Sequence, residues 1–221
     1  MLIRANDVDL FYTKTGSGHP LVMLHGNSQS HEIFGTAIAE LSKYYTVYAI
    51  DSRCHGQSTH TETISYQLMA NDIIAFIEAL YLKRPYLYGF SDGAVVGLLV
   101  ASQRPQLLGK QVLSGATTSA NGMKKGWRLL FRLSYFFRRD RLFQMVLTQP
   151  AIQKAELEKI AVPTLLLFGE KDLATQEDIE YMASSIPGST LRILPKEGHM
   201  SYVDNSPKLF PLLYSFLAET P

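Results

Sequence analysis

Three short stretches carry residues that can act together on an acyl group: "GFSDG" at 89–93, "GEKD" at 169–172 and "EGH" at 197–199. A serine hydroxyl is a weak nucleophile near neutral pH. It needs a base to take its proton, and the base needs an acid to orient it. Ser91, His199 and Asp172 supply those three types, in the chain order serine, acid, histidine. On its own, Gly-x-Ser-x-Gly also fits a plain strand-to-helix turn with a capping serine. Its context argues for more. A strand-like "YLYGF" runs into the serine and a helix-like "DGAVVGLLVASQ" leaves it, the setting in which a serine is held on a sharp, exposed corner. Gly89 and Gly93 leave room for the turn, and Ala94 and Gly97 let the helix pack close to the sheet.

The elements that position these residues alternate. Two short strands open the chain, the second closed by Gly16-Ser17-Gly18. "HPLVML" reads as a buried strand, "HEIFGTAIAELSKY" as a helix and "YTVYAI" as a strand. "SYQLMANDIIAFIEAL" has strong helical periodicity, with Ser65 as its N-cap. The helix after Ser91 ends at Pro105, and "GKQVLSGA", "VPTLLLFGEKD" and "STLRILPKEGH" are further strands. The last two are each followed by a helical stretch, "TQEDIEYMASSI" and "SPKLFPLLYSFLAE". This alternation predicts a mostly parallel central sheet flanked by helices. Parallel strands deliver their following loops to one sheet edge, where open α/β folds build their sites. Asp172 and His199 each lie just past a strand. A lone loop histidine is usually an ordinary surface residue, but its joint placement with the acid and the corner serine argues for chemistry.

At 221 residues the chain can bury an ample single core. Its 46% hydrophobic and 19% charged residues fit an ordinary globular protein, and a net charge of +1 gives no reason to expect a nucleic-acid partner. The single cysteine, Cys54, forms no internal disulfide, and Arg4, Asp7 and Asp9 occupy the place of a signal peptide's apolar core. No stretch approaches the roughly 20 apolar residues of a membrane span. A cytoplasmic location is expected. The six histidines show no paired ligand spacing, so no metal is expected, and the reading needs no cofactor.

The chain resembles the α/β-hydrolase superfamily over nearly its full length. The resemblance rests on "LHGN" at 24–27, "DSRCHGQS" at 51–58 and the three stretches above. It implies Ser91 as nucleophile, His199 as base and Asp172 as acid, with Glu170 as the close rival for the acid. Some members carry the acid one strand earlier, but "LSGATTSANG" here holds no Asp or Glu. The resemblance also implies an oxyanion hole from the backbone N–H groups of Asn27 and Asp92. The Asp92 carboxylate is expected to point away and pair locally, because a negative charge disfavours a nearby oxyanion. Arg53 and Asp51 are expected to form a loop pair. Where Cys54 stands the family often has glycine, so a different loop backbone is expected there. His25 is expected to be structural.

From about 116 to 159 no buried strand is expected, and this stretch reads as a small helical cap between core parts 1–115 and 160–221. It holds Lys124, Lys125, Arg128, Arg132, Arg138, Arg139 and Arg141 against Asp140, with aromatics among them. The plainer reading is a solvated basic face with an aromatic face over the cleft, placing Trp127 and Phe131 at a substrate pocket. The sharper one is a basic surface that meets anionic lipid or a partner. The expected activity is that of a serine carboxylesterase acting on small to medium acyl esters. The same triad could cleave a carbon–carbon bond, a thioester, an amide or a lysophospholipid. A slow-turnover ligand sensor is the alternative from another class.

Overall fold

Apolar strand runs buried on both faces build the centre of the molecule, seen in a computed structural model that describes residues 1–219. In chain order, β1 (Leu2–Ala5), β2 (Val8–Thr15) and β3 (His19–Leu24) lead to α1 (Gly35–Leu41), β4 (Tyr45–Ile50) and α2 (Tyr66–Ala79). Then come β5 (Tyr86–Phe90), α3 (Asp92–Gln103) and β6 (Gln111–Ser114). After β6 the helices α4 (Lys125–Arg138), α5 (Arg141–Thr148) and α6 (Lys154–Leu157) follow in succession. The chain closes with β7 (Thr164–Lys171), α7 (Gln176–Ser185), β8 (Thr190–Gly198) and α8 (Leu209–Leu217).

The strands form one sheet in the order β1-β2-β4-β3-β5-β6-β7-β8. β1 and β2 are antiparallel to their neighbours, and every pairing from β4–β3 onward is parallel. Successive side chains enter opposite cores. Leu21 and Met23 of β3 pack in the layer that holds α1 and α8, while Val22 and Leu24 pack in the layer of α2, α3 and α7. This two-sided burial explains why the parallel strands read as unbroken apolar runs. The Ser65 side chain caps α2, accepting from the Leu68 N–H at 3.1 Å. The helix expected over 31–44 begins as a 3-10 turn, His31–Phe34, before α1.

Two features differ from expectation. Arg53 does not pair with Asp51. Its guanidinium is buried against Asp72 of α2 (2.5 and 2.6 Å) and also reaches Asp7 at 2.9 Å. Asp51 instead accepts from the His31 backbone and ring (2.8 and 2.7 Å) and from the Gln57 amide. Helix α4, in the stretch expected to form a cap, also does not turn its aromatic side wholly inward: none of its residues is buried. Among the described residues no helix is long and apolar enough to cross a membrane.

Candidate active site

The corner after β5 is strained in the way a held nucleophile requires. Ser91 has φ 53° and ψ −113°, a region that residues with a Cβ seldom occupy. The surrounding glycines are obligatory. A Cβ on Gly89 would sit 2.6 Å from the Gly93 carbonyl carbon, and one on Gly93 would sit 2.6 Å from that of Leu24. Close approach of α3 to β3 and β5 thus forces both small residues around the serine. The corner is tied down on two sides, by Ser91 N–H to the Ser114 carbonyl (2.8 Å) and Gly93 N–H to the His25 carbonyl (3.1 Å).

The loops after β7 and β8 deliver Asp172 and His199 to the same edge. His199 Nε2 lies 3.1 Å from Ser91 Oγ, and its Nδ1 lies 2.6 Å from Asp172 Oδ1. Both side chains are buried, and the ring is flanked by Phe90 at 4.9 Å between centroids and Trp127 at 6.3 Å. Gly115, with φ +65°, makes room for the imidazole: a Cβ there would meet His199 Cε1 at 2.5 Å.

Asp172 is held from every side. Oδ1 also accepts from the Leu173 N–H at 2.7 Å, and Oδ2 accepts from the Gly169 N–H at 3.0 Å. Burial pushes its carboxyl pKa up, but His199 and those two amides outweigh burial and hold it below the ordinary carboxylate value. The rival Glu170 points elsewhere, accepting from the exposed Lys196 N–H.

The Asp92 carboxylate is buried and pairs locally. It accepts from Tyr66 OH at 2.7 Å and Asn27 Nδ2 at 2.9 Å. Burial raises its pKa while those two bonds pull the other way. The Asn27–Asp92 bond links the two residues whose backbone N–H groups the oxyanion hole would need. Asn27 Nδ2 also reaches the Leu142 carbonyl of α5 at 3.2 Å, joining the corner to the helices after β6. His25 is buried, with Nδ1 on the Gly26 carbonyl and Nε2 accepting from the Ser52 N–H. Burial first, then His55, pushes its pKa down to about 3. It is a neutral structural link between β3 and β4. Cys54 occupies a left-handed conformation (φ 64°), at the place where glycine is expected.

The sequence matches the model of the alpha/beta hydrolase family over residues 21–210. The chain belongs to that family. It is 28% identical to the human "Serine hydrolase BPHL", over 94% of this chain and 83% of that protein. It is 26% identical to the "AB hydrolase superfamily protein YisY" of Bacillus subtilis (strain 168), over 95% of each. Among solved structures, an esterase from Exiguobacterium antarcticum superposes with a TM-score of 0.86 at 25% identity, covering 99% of both chains.

Within this alpha/beta hydrolase, three supports of the site escaped sequence reading. Tyr66 reaches Asp92 from α2, Gly115 clears space for His199, and Lys124 Nζ binds the Asp172 carbonyl at 2.6 Å. Tyr66 follows directly on the N-cap Ser65, and nothing in the sequence marks its partner across the fold. Phe131 packs near Met123, Val146 and Leu173, while Trp127 borders His199.

Proposed function

We propose that this hydrolase cleaves carboxylic esters of small to medium acyl groups through an acyl-enzyme on Ser91. The observation that carries the reading is the chain Ser91 Oγ to His199 Nε2 to Asp172, built on a strained corner. Ser91 Oγ attacks the ester carbonyl and its proton passes to His199 Nε2. Asp172 holds Nδ1–H, which keeps Nε2 free as acceptor and stabilises the imidazolium. The tetrahedral oxyanion is received by the backbone N–H groups of Asp92 and Asn27. The first opens α3, where N–H groups have no partner within the helix and the helix dipole favours negative charge. His199 then gives its proton to the leaving alcohol. In the second half it takes a proton from water, and hydroxide attack on the acyl carbonyl releases the acid and restores Ser91.

Residues 116–159 act in this reading as a small cap, with Trp127 at the mouth and Phe131 behind it. The esterase from Exiguobacterium antarcticum, similar over its whole length, supports an ester substrate. The test is hydrolysis of a p-nitrophenyl ester series from acetate to long acyl chains, with wild type and Ser91→Ala. Turnover that favours short to medium chains and collapses in the variant is expected. A folded wild type inert on every ester would overturn the ester reading.

A further inference from the structure

We propose that the outer face of α4 docks on an anionic lipid bilayer. At 3.6 residues per turn, Leu129, Leu130, Leu133, Phe136 and Phe137 fall within one arc of about 120°. They are exposed by 48% to 78%. The opposite side of the helix carries Phe131, which packs near Met123, Val146 and Leu173. The apolar stripe therefore points away from the protein, not into it. A contiguous exposed patch of this kind marks an interaction surface.

Charge selects the occupant. Lys125 and Arg132 border the stripe and the same stretch of chain also holds Arg128, Arg138, Arg139, Arg141 and Lys124, the last turned to the Asp172 carbonyl, with Asp140 the one acid from 123 to 141. Among the described residues none of these seven cations forms an ion pair with a carboxylate. The chain as a whole has 21 Lys and Arg against 20 Asp and Glu, so the remainder of the protein is net acidic. Positive charge is thus concentrated on this side, and the molecule orients toward a negative surface. Two copies meeting through α4 would bring Lys125 and Arg132 of each against like charges of the other. A bilayer with anionic headgroups receives the Leu and Phe side chains at its acyl boundary while the flanking cations meet phosphate. The docking itself does not depend on the ester reading.

The experiment is cosedimentation of the full chain with vesicles of phosphatidylcholine alone or mixed with phosphatidylglycerol. Binding to the anionic vesicles, weaker by about tenfold or more on pure phosphatidylcholine and reduced by salt, is expected. Phe137→Asp and Leu133→Asp, both at exposed positions, should keep the wild-type melting temperature and lose vesicle affinity by about tenfold or more. Arg132→Glu should weaken the preference for anionic vesicles. A wild type that leaves anionic vesicles unbound would overturn the proposal, and so would unchanged binding by Phe137→Asp. A solution dimer that Phe137→Asp dissolves, without vesicle binding, would assign the face to a second copy instead.

Discussion

Replacing Asp172 by asparagine changes a single atom type at the most enclosed point of the site. Oδ1 of Asp172 faces two donors, His199 Nδ1–H at 2.6 Å and Leu173 N–H at 2.7 Å, and Oδ2 faces the Gly169 N–H at 3.0 Å. An amide nitrogen placed on either side therefore meets a donor. Facing Gly169 it loses one bond and leaves that N–H unpaired, a cost of about 1–3 kcal/mol. For a chain of this size that lowers the melting temperature by about 2–12 °C. In this orientation His199 keeps an acceptor but loses the negative charge that stabilises its imidazolium. In the other orientation the amide forces the proton onto Nε2, which then points a donor at Ser91 Oγ and cannot take its proton. Either outcome should lower kcat on a soluble p-nitrophenyl ester by about 10³–10⁴. Glu170→Gln, exposed and, among the described residues, bonded through its side chain to the Lys196 N–H alone, should stay within about twofold. The pH dependence has a definite sign. Asp172 titrates below its ordinary value when folded, so its stabilisation is present above the unfolded carboxyl pKa. It is lost as pH falls through the unfolded and then the folded value. The acid-side loss of stability should therefore be shallower in Asp172→Asn. Activity in that variant above about a tenth of wild type, or an equal loss in Glu170→Gln, would refute the assignment of the acid.

Three further perturbations probe the supports of the site. Gly115→Ala, at φ +65°, should lower kcat by about 10² while the protein stays folded, because the new methyl group displaces the His199 ring. A kcat equal to wild type would show that Gly115 does not set the ring position. Asp72→Ala leaves the buried Arg53 guanidinium without its main partner and should cost about 3–5 kcal/mol, read by denaturant unfolding. A loss below about 1 kcal/mol would put Arg53 in some other balance of contacts. His25 titrates near 3 when folded and near 6.5 when unfolded, so its contribution to stability is complete above about pH 6.5 and is lost on acidification. NMR of the native protein at pH 5 should show a neutral His25 imidazole, and a protonated one would contradict its burial.

What could be read from the sequence was what backbone geometry forces. Gly93 has no alternative beside the Leu24 backbone, nor Gly89 beside that of Gly93, so they mark the corner. Asp172 follows β7, whose apolar run is unmistakable because both faces are buried, His199 follows the edge strand β8, and their parallel pairing brings both loops to one edge. Partner choice was less legible. Arg53 was expected on Asp51, two residues away, yet it lies on Asp72, nineteen residues on. A signal was present: Asp72 falls among Met69, Ile73 and Phe76 on the buried side of α2, where an acid requires a cation. The orientation of α4 was harder still. Apolar residues surround most of that helix, so periodicity marks it as amphipathic without saying which side meets the protein. The packing of Phe131 and the exposure of the Leu and Phe stripe settle that point.

An acyl-enzyme mechanism requires an activated Ser91 with His199 as its base. It is tested most directly by treating the native protein with an alkyl fluorophosphonate, which phosphonylates activated serines, and mapping the product by mass spectrometry. A single stoichiometric adduct on Ser91 is predicted, absent in Ser91→Ala and formed far more slowly in His199→Ala. A folded wild type that acquires no adduct, or acquires it at another residue such as Cys54, would contradict the account.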